Sequence, residues 1–518
     1  MLQGHDLFAV NRKRREDALR SQSRSKSLHE SLSAEGVFLL EFRKSVIDPD
    51  NNLQSWNSLD STPCIWKGVG CSTNLKVTSL NLHSLTLSGI LSTVATILEF
   101  NVSSNFFSGP IPQYLAALFF ARTTYSEKSL GRNLTSLVEL VIYRNNLTGT
   151  IPASIRELKH PRVIWASVNS FTGPIPPEIS GCDSLEILRL AHNSFQGSLS
   201  KELQKLQNLT NLILEENILS GEIRPEIGNI SNLARVSKPN ISRGFAAFSN
   251  YLEGHIPFLI GYNNNLSVLD LADNNLVDNI HPYLCKYEKL MLLGLGSNWL
   301  FGNIYPFENL STLDMYQNRF SGSIPPGVGK LGNLRRLRLS DNYFSGKIPP
   351  DVGNLTELIV FNISSNWLSG DIPRDLGNCM GLRRLDLSRN QLTGEIPSIL
   401  GSLCRLKELQ MGGNLFSGAI PVELGQLYSL QISLNISRNR LSGTIPNDLG
   451  KLQLLESLYL NDNQLVGDVP ASFSELISLL VCNLSNNNLV GPVPNNPAFL
   501  RMDSTNFAGY NGSCKSGS

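Results

Sequence analysis

One phrase recurs along this chain at a fixed pitch, and it constrains the fold more than any other feature. "LEILRLAHNSFQGSLS" from Leu185, "LRRLRLSDNYFSGKIP" from Leu334, "LRRLDLSRNQLTGEIP" from Leu382 and "LESLYLNDNQLVGDVP" from Leu455 share the skeleton L-x-x-L-x-L-x-x-N-x-L-x-G-x-I-P. Its glycine returns at Gly149, Gly173, Gly197 and Gly221, and again at Gly322, Gly346, Gly370, Gly394 and Gly418, each step being 24 residues. About sixteen copies are recognisable. A chain that keeps phase in this way is built of stacked units, because one unit cannot bury its own apolar residues.

The motif and period are those of leucine-rich repeats. L-x-L alternates, so it is a short strand with its leucines facing one way. The asparagine after it points inward, and a buried amide needs partners, which the backbone of the adjoining turn supplies. The glycine tolerates positive φ. Ile-Pro then opens the outer side, where proline loses no needed donor. The expected fold is an α/β leucine-rich repeat solenoid, curved or superhelical, with a parallel concave sheet and an N-terminal helical cap.

The phase breaks in four places. Gly89 to Gly109 and Gly302 to Gly322 are 20 residues, Gly109 to Gly149 is 40, and Gly221 to Gly254 is 33. A missing four residues must shorten a convex segment. Irregular stretches are expected near 110–135 and 234–250; the second has a poor strand and no clean asparagine step. The organisation read from this is a disordered basic N-terminus (1–31, "NRKRRE"), an N-terminal cap (32–76), repeats over 77–494 and a truncated C-terminal cap (495–518). In the cap, "SAEGVFLLEFRKSVI" has helical spacing with Ser33 as N-cap and Glu35 in the first turn. "SWNSLDSTPCIWKGVGC" adds Trp56, Trp66 and a Cys64–Cys71 link. The cap covers a core layer that would otherwise face water.

Net charge is +1, so bulk electrostatics points to no nucleic-acid partner. No apolar run approaches membrane-spanning length, and residues 1–30 hold no secretory h-region. Cys182 and Cys379 stand where other repeats place leucine, and Cys482 replaces a strand core residue, so all three read as buried free thiols. Cys514 has no evident partner. Sequons occur at Asn101, Asn133, Asn146, Asn208, Asn229, Asn240, Asn265, Asn309, Asn354, Asn362, Asn435, Asn483 and Asn511. An Asn-, Leu- and Ser-rich repeat generates such triplets by itself; with the cysteine pair they still point to an extracellular setting.

No catalytic constellation is present. Phosphate-binding, kinase, zinc-protease and hydrolase-elbow motifs are all missing, the seven histidines are scattered, and "DPDNN" at 48 lacks the glycine and glutamate of a calcium loop. The chain reads as a non-enzyme with no cofactor and no metal. What remains is the concave face. The outward residues lie six, four and two positions before each asparagine: Arg336, Arg338 and Ser340; Thr312, Asp314 and Tyr316; Arg384, Asp386 and Ser388. Earlier strands offer Trp165, Arg189 and Glu215. This is a mixed polar stripe with aromatic steps, suited to an extended peptide. Arg336 and Arg338 flank inward Leu337, so two guanidinium groups leave one face and are placed to clamp a carboxylate. The competing reading pairs them with Asp314 or Asp386.

The L-x-G-x-I-P repeat, the "SWN…CIWKGVGC" cap and the "FAGYNGSC" tail together resemble the extracellular domain of plant leucine-rich repeat receptor-like serine/threonine kinases, over about residues 32–514. The likeness is greatest to the large-ectodomain class that perceives small secreted peptides. The resemblance implies cell-surface signalling, a small secreted peptide on the concave face, a co-receptor kinase ectodomain near the C-terminal repeats and an extracellular location. It also implies that an R-x-R such as Arg336–Arg338 binds the free C-terminus of the peptide, with Asp314, Tyr316, Arg384 and Asp386 beside it. Family members carry a signal peptide, a membrane helix and a kinase, none of which is visible here, so an isolated or truncated ectodomain is expected. The alternatives are a soluble inhibitor of cell-wall hydrolases, usually shorter, and a decoy or non-functional receptor fragment.

Overall fold

The structure is a computed structural model that describes residues 32–91, 97–111, 137–233, 244–262, 266–285, 289–304, 307, 309–494, 499 and 501–509. The basic N-terminus, the expected break over 112–135, residues 234–243, the sequons Asn133, Asn240, Asn265 and Asn511, and Cys514 lie outside the described residues. The chain divides into two compact units, one ending at Leu185 and one beginning at Glu186. Each is built of leucine-rich repeats.

The first unit opens with the helix Ala34–Lys44. The Ser33 side chain accepts from the Gly36 N–H at 3.2 Å, as the sequence implies. Leu39 and Phe42 are the buried side chains. Phe42 meets Trp56, Phe100 and Phe107 with ring centroids 6.2–6.5 Å apart, which joins the cap to the first repeats. Trp56 stacks on Trp66 at 5.5 Å. Cys64 and Cys71 are disulfide-bonded. The strand Val69–Cys71 then runs antiparallel to Val77–Asn81, which starts a parallel ladder through Glu99–Asn101, Glu139–Val141 and Val163–Trp165.

In the second unit the L-x-L strands run in register from Ile187–Arg189 to Val481–Asn483, every neighbour parallel. The sequence reading placed one strand in each repeat. The structure has a second short strand around the L-x-G step, as at Arg319–Gly322, Tyr343–Gly346 and Trp367–Gly370, which pair with one another. The third side is a 3-10 turn that begins just after the Ile-Pro, as at Pro350–Asn354 behind Pro349. Ile348, Val352 and Leu355 close the core from that side, all 2% exposed or less.

The asparagine ladder explains the stacking. Asn342 Oδ1 accepts from Phe320 N–H at 3.0 Å, and its Nδ2 donates to the Met315 carbonyl at 2.9 Å, both in the preceding repeat. Nδ2 also reaches the carbonyls of Leu339 and Ser340 in its own repeat. One amide thus satisfies backbone groups that no water reaches. The residue before each asparagine turns left-handed, as at Asp341 with φ 55°, and this aims the amide inward.

Departures from the pitch fall where chain length is cheap to change. Between Gly302 and Thr312 no 3-10 turn is described, yet Leu292–Gly294 keeps register with Thr312–Asp314, so the four missing residues come out of the outer side as expected. The stretch 234–250 corrects the sequence reading in part. From Phe245 the chain pairs with Leu212 and Leu269, and Asn250 is a full ladder member that accepts from Leu219 N–H at 2.9 Å. The "GFAAFSN" run hid this because alanine and phenylalanine replace its leucines. One break went unread: Asn414 and Asn439 are 25 residues apart, and the extra residue enters before the strand Ser433–Asn435, whose register is unaffected. Asp278 occupies a glycine position of the repeat with φ 80°.

The lone thiols behave as small apolar groups. Cys182, Cys379 and Cys482 are free and buried, as the sequence implies, while Cys404 is free and exposed. The Cys182 thiol donates to the Ile155 carbonyl at 3.5 Å and Cys379 to that of Val352 at 3.3 Å. Burial pushes the Cys182 thiol up to about 12 and Cys379 up to about 11, so neither is a nucleophile.

Candidate functional site

The outward face of the L-x-L sheet in the second unit is set by register. Thr312, Arg336, Val360, Arg384 and Glu408 form one row across five strands; Asp314, Arg338, Asn362, Asp386 and Gln410 form the next. Leu313, Leu337, Phe361, Leu385 and Leu409 between them are buried at 1% exposure or less. The sequence rule for which residues face out therefore holds on these strands.

Arg336 and Arg338 do leave the same face, and they meet a carboxylate of the protein itself. Arg338 donates from Nε and Nη2 to the two oxygens of Asp314 at 2.8 and 2.6 Å. Arg336 Nη1 stands 3.6 Å from the same carboxylate. The Arg338 guanidinium lies 4.8 Å above the Tyr316 ring, a cation–π contact. The bond to Asp314 is the main reason that Arg338 holds its proton more tightly than a free arginine. Asp314 is nearly buried, its side chain 11% exposed, whereas that of Arg336 is 49% exposed. Of the six candidate contact residues, the structure brings together Arg336, Arg338, Asp314 and Tyr316. Arg384 stands apart, 3.6 Å from Glu408, and Asp386 accepts from the amide and hydroxyl of its neighbour Ser388.

The strand before Asp314 was missed in sequence. Gly294 and Gly296 occupy two of its three outward positions, after Leu292, and a Cβ on them would fall 2.4 Å from Asp270 Oδ1 and 2.3 Å from the Tyr316 ring. Asp270 and Tyr316 thus lean over the part of the strand that carries no outward side chain. Asp270 is the outward residue four positions before Asn274, so the same spacing rule would have found it. Burial pushes the Asp270 carboxyl above the usual range; the Ala272 amide opposes this, and the charges of Asp314 and Asp273 add to it. Burial likewise raises Glu215 and the Tyr316 hydroxyl.

Farther along, the same face forms a polar groove of about 640 Å³ lined by Asn362, Asp386, Gln410, Asn435 and Asn483 among others. Three of these are sequon asparagines. Each uses Oδ1 to accept from the serine two residues on, as Asn362 does from Ser364, and Asn101 does the same in the first unit. Asn146, Asn208, Asn309 and Asn354 are exposed, and Asn229 is half-buried. Among the described residues no group of histidine, cysteine and carboxylate side chains is placed to hold a metal, and no helix is long and apolar enough to cross a membrane.

A helix-capped stack of repeats with an asparagine ladder and a polar strand face defines a leucine-rich repeat ectodomain. Residues 32–72 match the leucine rich repeat N-terminal domain, and segments from 136 to 476 match the leucine rich repeat. A leucine-rich repeat receptor-like serine/threonine-protein kinase of Arabidopsis thaliana is 48% identical over 90 residues, 17% of this chain and 8% of that protein. The plant peptide hormone receptor RGFR1, solved with RGF2, is 31% identical with a TM-score of 0.70, over 83% of this chain and 73% of that one. The Arabidopsis receptor kinase HAESA, solved with the peptide hormone IDA and the co-receptor SERK1, is 27% identical with a TM-score of 0.56, over 89% and 91%. The chain belongs to the plant leucine-rich repeat receptor-like kinase family and corresponds to its repeat-bearing ectodomain. The matched segments span 6–8% of the length of three such curated relatives and 12–14% of two others.

Proposed function

We propose that this chain recognises a small secreted peptide on its concave face, outside the cell, as the ligand-binding part of a receptor that signals together with a co-receptor ectodomain near its C-terminal repeats. The observation that carries the reading is the convergence of Arg336 and Arg338 on one carboxylate. Asp314 takes the Nε and Nη2 of Arg338 and so fixes its plane, and the end of that guanidinium together with half-exposed Arg336 forms the receptor for a second carboxylate, the free C-terminus of the peptide. Tyr316 backs Arg338, while Arg384 and Asp386 lie along the path of the peptide. The likeness to RGFR1 and HAESA, both solved with peptides, supports the class of ligand.

Calorimetry on the secreted ectodomain tests this with RGF2, IDA and a wider panel of secreted peptides, each as free acid and as C-terminal amide. Charge-assisted bonds contribute roughly 1.5–3 kcal/mol each, so amidation and Arg336→Ala should each weaken binding about ten- to a hundredfold. Their effects should not add, since they remove the same contact. Equal affinity for free and amidated peptide would remove the clamp; a panel without any binder would remove the peptide. A glycan at Asn362, the strand neighbour of Arg338, would crowd this position, so Asn362→Gln should not lower affinity.

A further inference from the structure

The edge where these strands begin adds four exposed cations, Arg335, Arg383, Arg405 and Lys407, that the peptide reading does not use, to Arg336 and Arg384, which it does. Just outside the strand row, the backbone links Arg335, Ile359, Arg383 and Lys407 in succession, each amide donating to the carbonyl one repeat earlier. The row inside it is Arg336, Val360, Arg384 and Glu408. Arg335, Arg336, Arg383, Arg384, Arg405 and Lys407 are all exposed, and they are offset by Asp314 beside Arg336, Glu408 beside Arg384, and exposed Glu357. The edge is bounded, with Ser311 and Thr312 before it and Gln431 and Glu456 after it. In a chain of net charge +1 this is a local concentration and not a general surplus.

We infer that this edge docks an extended acidic segment of a partner protein, with carboxylates on either side of apolar residues. Three observations carry the choice. Five of the six cations are arginines, whose planar fork suits carboxylates. The two arginine pairs stand two strands apart, about 10 Å at the usual strand spacing, which three residues of extended polyproline II chain cover at about 3.1 Å each with the first and fourth side chains on one face. The strand between the pairs presents half-exposed Ile359 and Val360. A uniformly charged polymer would strip water from these without reward, whereas a leucine between two glutamates covers them. The preferred sequence is therefore acidic-apolar-apolar-acidic.

The test uses a fluorescent peptide built on a Glu-Leu-Leu-Glu core, acetylated and amidated so that it has no terminal charge and the C-terminal clamp plays no part. Fluorescence anisotropy with the secreted ectodomain at low ionic strength should show binding that weakens as salt rises. Arg383→Glu with Arg384→Glu should weaken it at least about tenfold, and Arg405→Glu with Lys407→Glu should do so independently, with thermal unfolding showing both variants folded. The Gln-Leu-Leu-Gln peptide should bind at least about tenfold more weakly. Unchanged affinity in both double variants, or equal binding of the glutamine peptide, overturns the proposal. Tighter binding of poly-glutamate or of a polyuronate than of the mixed peptide overturns the assignment of the partner.

Discussion

Arg338 and Asp314 form a side-on pair across adjacent strands, with both carboxylate oxygens engaged at 2.8 and 2.6 Å and the acid nearly buried. Arg336, two residues earlier on the strand of Arg338, reaches the same acid only at 3.6 Å. The two arginines of one motif therefore have different work: Arg338 belongs first to the fold and Arg336 first to the solvent side.

That difference has a measurable consequence. Arg338→Ala leaves Asp314 charged and without its main partner, and should lower stability by about 2–3 kcal/mol, below the range for a fully buried pair because Arg338 is a third exposed. Arg336→Ala should cost less than about 1 kcal/mol. Denaturant unfolding of the two single variants makes the comparison, and equal losses would contradict the division of roles.

The asparagine ladder is tested at Asn366. Its removal strands the Phe344 amide and leaves the Leu339 carbonyl with the 3.2 Å bond from Asn342 alone. Asn366→Ala should cost about 1–3 kcal/mol, with the loss concentrated locally, as repeats couple to nearest neighbours. Hydrogen exchange should show the Phe344 amide opening faster, while the Leu465 amide near the other end of the ladder is unchanged.

Asp270 predicts a pH dependence. Its folded-state affinity for a proton is raised, so its contribution to stability is present in acid and is lost as pH rises through the folded-state value. At about pH 7 the ionised, largely buried carboxylate opposes folding. Asp270→Asn should therefore raise Tm by about 1–3 °C near neutral pH, and the gain should shrink toward about pH 4. A gain that grew in acid would have the wrong sign.

Thiol accessibility separates the cysteines. In the native protein Cys404 should react with an aromatic disulfide reagent, while Cys182, Cys379 and Cys482 should wait for denaturant and Cys64 and Cys71 for reductant. Peptide mapping by mass identifies each site; a labelled Cys182 in native protein would contradict its burial.

How much of this was legible in sequence depends on whether one residue or a pair decides the outcome. The L-x-L strand, the inward asparagine, the cap helix behind Ser33 and the outward positions of Arg336 and Arg338 follow from spacing alone. The second strand of each repeat was not seen, because its L-x-G step is short and its pairing lies wholly with neighbouring repeats. Asn250 was missed because Phe245 and Ala247 stand in place of the two strand leucines. The engagement of Arg338 by Asp314 was one of two open readings, since sequence gives the face of a side chain but not which of several neighbours it reaches. Asp270 went unnamed for a different reason: the site is shaped there by Gly294 and Gly296, and a residue with no side chain attracts no notice.

The ladder also has a direction in time. Each asparagine completes the repeat before it: Asn342 serves Phe320 and Met315, Asn366 serves Phe344 and Leu339, and none of these bonds runs forward to the following repeat. A chain leaving the ribosome N-terminus first therefore always carries one unfinished rung at its growing end, closed only when the next 24 or so residues emerge. The cap can form early, since Asn105 already answers Leu82, Leu85 and Leu87. Shortening such a protein is not symmetric. A cut from the front idles a side chain that can turn to water, while a cut from the back uncovers a backbone amide that cannot and leaves a carbonyl one bond short, and it is there that a trimmed ectodomain needs a replacement lid.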